Sequence, residues 1–173
     1  MTDNRLPFPF YYLGVAEAVS KRSTCLSKQY GAVIVKNNVI VSTGYNGAPR
    51  GRINCCERGI CIRIEKKIPR GTNYNACRST HAEQNALINA APDQMQGATM
   101  YLYGYDCVND RVVENCNCCP ICKRMIINAG IEQVVFADAD QGIPCPGVNY
   151  RCKMINVRDW VENDDSLNVA EGY

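Results

Sequence analysis

The chain's only histidine, His81, lies in Thr80-His81-Ala82-Glu83-Gln84-Asn85-Ala86, with Asn117-Cys118-Cys119-Pro120-Ile121-Cys122 downstream of it. One imidazole nitrogen and two thiolates make three of the four ligands of tetrahedral zinc, and a site of that kind keeps its last position for water. Any fold of this chain must therefore carry two distant segments to one point. His81, Cys119 and Cys122 are the candidate ligands, and Glu83 is the carboxylate delivered beside them.

With 173 residues, 46% of them apolar and 21% charged, the chain suits a single globular domain with one substantial core. A net charge of +2 is too weak a field to argue for nucleic acid or a membrane surface as a partner, and it permits an anionic small molecule. No apolar run approaches the roughly 20 residues that a membrane helix requires. The start, Met1-Thr2-Asp3-Asn4-Arg5-Leu6-Pro7, lacks the charged and apolar segments of a secretory signal, so a soluble, cytoplasmic protein is expected. Twelve cysteines would suggest a disulfide framework in a small secreted chain. Here the Cys-x-x-Cys pair has metal spacing, which favours reduced, zinc-loaded cysteines.

Periodicity places an amphipathic helix over Phe8 to Arg22, with Phe8, Tyr11, Tyr12, Val15, Ala16 and Val19 on its apolar face. Gly31-Ala32-Val33-Ile34-Val35 and Val39-Ile40-Val41-Ser42-Thr43 are β-branched runs joined by Lys36-Asn37-Asn38, which predicts a hairpin. A Cys-, Arg- and Gly-rich insertion at about 52–79 is too irregular for one long element and too long for an idle loop. Helix signals resume from Thr80 to Ala91, ended by Pro92 and Asp93. Ala98 to Tyr103 predicts a strand. Ile121 to Ala129 predicts a helix, with Pro120 in its first turn and Gly130 placed to end it. Val134 to Ala137 and Lys153 to Val157 complete a mixed central sheet of about five strands, with Asp159-Trp160-Val161-Glu162 turning away behind the last. The fold class is α/β, one domain over 1–162, with a polar, loose tail over 163–173.

Glu83 has two readings. With Thr80 it has the Ser/Thr-x-x-Glu spacing of a capping box that satisfies a helix start. With His81 and the Cys-Pro-x-Cys run it completes the general signature of zinc nucleobase deaminases, in which a glutamate that is no zinc ligand carries the proton. The cysteine pair alone also fits a closed structural zinc or a redox dithiol. A closed site needs a fourth ligand, and Cys118, the nearest candidate, points away from its neighbour on a helix start. A redox role leaves His81 and Glu83 unexplained.

Over most of its length the chain closely resembles the deoxycytidylate deaminase family of the zinc-dependent cytidine and deoxycytidylate deaminases. The segments that carry the resemblance are Ser23-Thr24-Cys25-Leu26, Tyr30-Gly31-Ala32-Val33-Ile34-Val35, Thr43-Gly44-Tyr45-Asn46-Gly47-Ala48-Pro49-Arg50-Gly51, His81 to Ala86 and Ile126-Ile127-Asn128-Ala129-Gly130-Ile131. Gly44-Tyr45-Asn46-Gly47 is the discriminating piece. The resemblance implies a three-layer α/β/α cytidine-deaminase-like fold and hydrolysis of dCMP to dUMP, which feeds thymidylate synthesis. It also implies a homo-oligomer, often a hexamer, activated by dCTP with magnesium and inhibited by dTTP. By the same resemblance Asn46 holds the deoxyribose, Ser27 and Lys28 are phosphate candidates, and Gly44, Tyr45 and Gly47 border an allosteric nucleotide. Two positions depart from the family: Cys118 stands where proline usually precedes the first zinc cysteine, and Tyr30 replaces a small aliphatic residue.

Some members carry a second, structural zinc, and by the resemblance Cys25 and Cys55 match its ligand places best; with Cys61 and Cys77 completing a tetrahedron, a Cys₄ site at Cys25, Cys55, Cys61 and Cys77 is expected, with Cys56 as a substitute for Cys55. The alternative is that these are buried free thiols, since cysteine packs as a small hydrophobe. Cys107, Cys116, Cys145 and Cys152 have no assigned role. Two rival functions stay open. One is a deaminase of a nucleoside or polynucleotide. The other is a noncatalytic zinc module using the Arg50, Arg52, Arg58 and Arg63 region, although that region lacks the aromatic stacking series of a strand-binding track.

Overall fold

The structure is a computed structural model that describes residues 4–69 and 71–168. Helix α1 (Phe8–Ser20) precedes the hairpin β1 (Lys28–Lys36) and β2 (Val39–Tyr45). The hairpin turns on Asn37 and Asn38, whose φ values of 51° and 61° are the positive angles that a two-residue turn demands and asparagine tolerates. Among the described residues, the Cys-rich insertion holds two short helices, α2 (Cys55–Arg58) and α3 (Ile62–Glu65), and a 3₁₀ turn at Tyr74–Ala76. Then come α4 (Ala82–Ile88), α5 (Pro92–Met95), β3 (Thr99–Asp106), β4 (Arg111–Val112), α6 (Pro120–Asn128), β5 (Gln133–Asp138), β6 (Ile143–Pro144), β7 (Arg151–Asn156) and α7 (Val157–Asn163).

The strands form one mixed sheet in the order β2-β1-β3-β5-β7-β6, with β4 paired to β3. Only β3 and β5 run parallel, and α6 lies on the crossover between them. The five longer strands are those expected from sequence, and β4 and β6 add two residues each. Period-two alternation divides the core. Ala32, Ile34, Met100, Leu102, Val134 and Phe136 face α4, α6 and α7, whereas Val33, Val35, Tyr101, Tyr103, Val135 and Ala137 face α1. Both faces of the central strands are covered, so their sequences read as continuous apolar runs.

Two glycines set the helix positions. A Cβ on Gly31 would fall 2.1 Å from the Ala16 carbonyl, and one on Gly44 would fall 2.3 Å from the Ala86 nitrogen, so α1 and α4 rest directly on strand backbone there. Seating α1 on Gly31 turns it relative to the expected face. Phe10, Tyr12, Leu13 and Ala16 are buried, while Phe8 and Tyr11 stand 60% and 49% exposed. The helix expected over Thr80 to Ala91 is shorter because Thr80 pairs its backbone with Gly47 in both directions, at 2.8 and 3.2 Å. At its other end the Asn89 side chain donates to the Thr43 carbonyl at 3.0 Å.

The expected tail boundary falls inside a helix, since α7 continues to Asn163. Asp164 then pairs with the buried Lys123, whose ammonium also lies 5.2 Å from the Trp160 ring centroid, and Leu167 packs on the core. Residues 163–167 of the predicted tail thus reach the core, and 169–173 lie outside the described residues. No helix among the described residues is long and apolar enough to cross a membrane.

Candidate active site

The bridge between Gly47 and Thr80 ties the end of the hairpin to the residue before His81 and fixes where α4 begins. His81 is then the N-cap, and its backbone N–H donates to the Gln84 side chain at 2.9 Å. The capping role that the Thr80–Glu83 spacing offered as an alternative reading is performed one residue on, by Gln84 at the N3 position. Glu83 is freed from the cap and turned inward, 5% exposed. Burial pushes its carboxyl pKa up, opposed by the nearby His81 charge. The Cys118 thiol lies beside this carboxylate, and burial raises that thiol well above its ordinary value.

Cys119 caps α6, with Pro120 in the first turn, and its sulfur accepts the Cys122 N–H at 3.4 Å. His81 Nδ1 lies 3.5 Å from Cys119 Sγ and 3.4 Å from Cys122 Sγ. A tetrahedron with zinc's ligand distances has edges of about 3.6 Å, which the separations of His81 Nδ1 from both sulfurs match. Among the described residues this is the group of metal-capable side chains whose ligand atoms all lie within 4.8 Å of one another. The donors are also electronically suited to a cation. Hydrogen bonding from Cys122 and His81 holds the Cys119 thiol down at about 4, the contact with Cys119 pushes the Cys122 thiol up, and it raises His81 as well. The start of α6 adds its dipole in favour of thiolate.

Over this cluster opens a cleft of about 740 Å³ lined by His81, Glu83, Cys118, Cys119 and Pro120 on one side and by the insertion on the other. Ser27, Lys28 and Asn46 line it too. Asn46 is 7% exposed and largely committed: its Oδ1 accepts from Ser23 Oγ and the Tyr30 N–H, both at 2.7 Å, and its Nδ2 donates to the Lys28 carbonyl at 2.9 Å. One Nδ2 proton is left to face a ligand. Lys28 is ion-paired to Asp106 at 2.9 Å. Gly44, Tyr45 and Gly47 frame the site from behind: Gly44 lies against α4, the Tyr45 carbonyl accepts Asn85 Nδ2 at 2.7 Å, and Gly47 makes the bridge to Thr80.

Cys25, Cys55, Cys61 and Cys77 line one smaller neighbouring cavity of about 350 Å³. They are more widely spaced than the first cluster. Burial and the facing thiols raise Cys25 and Cys55. All twelve cysteines of the chain are free. Sequence reasoning missed Tyr74, whose ring centroid is 6.1 Å from that of His81, and Asn115 and Asn117 on the cleft wall. Their neighbours carry no pattern that marks them. Arg63, grouped by sequence with a possible nucleic-acid face, also lines the cleft.

A mixed sheet covered on both faces, with three metal donors at two helix starts beside a buried carboxylate, defines an α/β/α protein with an open metal centre. Residues 10–138 match the family model described as the cytidine and deoxycytidylate deaminase zinc-binding region, and the chain belongs to that family. It is 34% identical over 128 residues to deoxycytidylate deaminase of Schizosaccharomyces pombe, covering 73% of this chain but only 35% of the yeast protein. It is 35% identical over 179 residues to deoxycytidylate deaminase of Pongo abelii, covering 96% of this chain and 90% of that one. Among solved structures, dCMP deaminase of the cyanophage S-TIM5 in complex with dCMP and dUMP superposes with a TM-score of 0.53 at 28% identity, over 78% of this chain and 85% of that one.

Proposed function

We propose that this chain hydrolyses dCMP to dUMP and ammonia. The observation that carries the reading is the convergence of His81, Cys119 and Cys122 beside the buried Glu83 in a cleft of nucleotide size. Those three side chains would hold zinc, which when bound supplies the Lewis acid that makes water nucleophilic at neutral pH. Glu83 is the proton carrier: it accepts a proton from the attacking water, delivers it to the pyrimidine ring nitrogen and then helps the amine depart. The Cys118 thiol lies beside that carboxylate. Asn46, pinned by three hydrogen bonds, offers its remaining N–H to the deoxyribose, and Ser27 lies beside it on the cleft wall.

The finer features of the reading come from the family likeness. A structural zinc on Cys25, Cys55, Cys61 and Cys77 is supported by their sharing one cavity, and it requires two zinc ions per purified chain; a ratio near one removes it. Activation by dCTP with magnesium, inhibition by dTTP, an allosteric contact at Gly44, Tyr45 and Gly47, and homo-oligomeric assembly belong to the same reading, as does a cytoplasmic location, with which the free thiols agree.

Ammonia release from dCMP, CMP, dCTP, deoxycytidine and single-stranded DNA, measured side by side, tests the assignment. Preference for dCMP is expected. Strong activity only on DNA or only on the nucleoside overturns it.

A further inference from the structure

We infer that the Cys-rich insertion forms the anion-recognising end of the cleft and that the Arg63 guanidinium is the group that selects a 5′-phosphorylated nucleotide over its nucleoside. This deepens the deaminase reading and rests on it. Of the described residues lining the cleft, Glu83 is the sole acid and stands at the metal end, whereas Lys28, Arg63 and Lys67 are the lysine and arginine cations. Lys28, the phosphate candidate from sequence, already has its counter-charge. Its ammonium sits 2.9 Å from Asp106 Oδ2, and that carboxylate is further held by the Val108 and Asn109 N–H groups and the Asn109 side chain at 3.0 to 3.2 Å.

Arg63 is in the opposite condition. Nη1 donates to the Asn73 carbonyl at 3.0 Å and Nη2 to the Pro69 carbonyl at 2.7 Å. Both acceptors are neutral, and no carboxylate pairs with Arg63 among the described residues, so the positive charge remains uncompensated. The two carbonyls also fix the planar fork before a ligand arrives, and little side-chain freedom is left to lose on binding. A rigid guanidinium with unused N–H donors is the group best matched to a phosphate, which it grips through paired, charge-assisted hydrogen bonds. Arg63 and His81 line the same cleft. Lys67 is exposed on the same wall and adds a second, weaker positive charge.

The test compares kcat/KM for dCMP and for deoxycytidine in the intact, zinc-loaded chain and in Arg63→Gln, Arg63→Lys and Thr72→Ala. Charge-assisted hydrogen bonds of this kind predict a roughly 10- to 100-fold loss for dCMP in Arg63→Gln, mostly through KM, with deoxycytidine within about twofold of the parent. Arg63→Lys should recover part of the loss. Thr72→Ala removes a different hydrogen bond of the insertion, that from Thr72 to the Pro69 carbonyl, and should leave the ratio between the two substrates unchanged. An unchanged ratio in Arg63→Gln, or an equal loss on both substrates, overturns the inference. If the parent chain itself does not prefer dCMP, the nucleotide reading has failed and the role of Arg63 falls with it.

Discussion

The two walls of the cleft are built by opposite means. The wall that holds the metal donors is anchored in core: Ala82, Ala86, Cys122 and Ile126 are all 0% exposed, and α4 lies on the backbone of β2 at Gly44. In the facing wall, the insertion at about 52–79, Cys55 is the buried hydrophobic residue among the described residues, while Ile53, Ile60 and Ile64 are exposed. That wall is held by polar links such as those from Arg63 to Pro69 and Asn73 and from the Cys56 N–H to the Thr24 carbonyl. Packing that excludes water resists local opening, whereas exposed hydrogen bonds do not. The difference teaches a division of labour. Groups that must keep sub-ångström geometry sit on the packed wall, and groups that need only present charge sit on the other.

The largest effect should come from removing a donor on the packed wall. Cys122→Ala should lose the zinc held there and fall to background turnover. Cys61→Ala, on the facing wall, should keep that zinc and measurable activity, and metal analysis with ammonia release compares the two directly. Retention of full zinc and activity in Cys122→Ala would break the contrast.

Stability should divide in the same way. Gly44→Ala places a methyl 2.3 Å from the Ala86 nitrogen and 2.4 Å from the Ala82 carbonyl, where neither backbone atom can give way cheaply, so a cost of about 1–3 kcal/mol is expected. Ile60→Ser, exposed on the insertion, should stay within about 0.5 kcal/mol. Thermal or urea unfolding of the pair sharpens the comparison, and equal shifts would contradict it.

A smaller effect tests the joint between β1 and β3. Burial raises the Asp106 carboxyl, but hydrogen bonds from Lys28 and Asn109 outweigh it and hold the pKa at about 2, below its ordinary 3.8. A carboxyl depressed on folding stabilises the fold above its unfolded pKa, and that contribution is lost as pH falls from about 4 towards 2. The shift corresponds to about 2 kcal/mol. Asp106→Asn should therefore be less stable than the parent at pH 5 to 7, and the gap should close as pH approaches 2. A gap that does not change with pH would mean the pair contributes no linkage.

The sheet and its covering helices were legible in the sequence because the signals there are redundant. The continuous apolar runs of β1, β3 and β5 mark buried strands, and Asn37-Asn38 marks the hairpin turn. The metal donors were legible because ligand chemistry restricts residue type and spacing together. Where packing decides the outcome, sequence periodicity missed. The face of α1 follows from a close approach at Gly31, which a helical pattern does not contain. The capping box shifted from Thr80 and Glu83 to His81 and Gln84 because Gly47, far off in sequence, takes the Thr80 backbone. Arg63 was visible as a charge but not as part of the cleft, since the insertion has no periodicity to orient its side chains.

The central claim is that Glu83 transfers the proton and does not shape the metal site. Its most direct test is Glu83→Gln, with zinc content and dCMP-dependent ammonia release measured on one preparation. The account predicts parental zinc and a fall in kcat of roughly 10²- to 10⁴-fold, the range that a positioned acid–base group supplies. Parental turnover with zinc retained would contradict it.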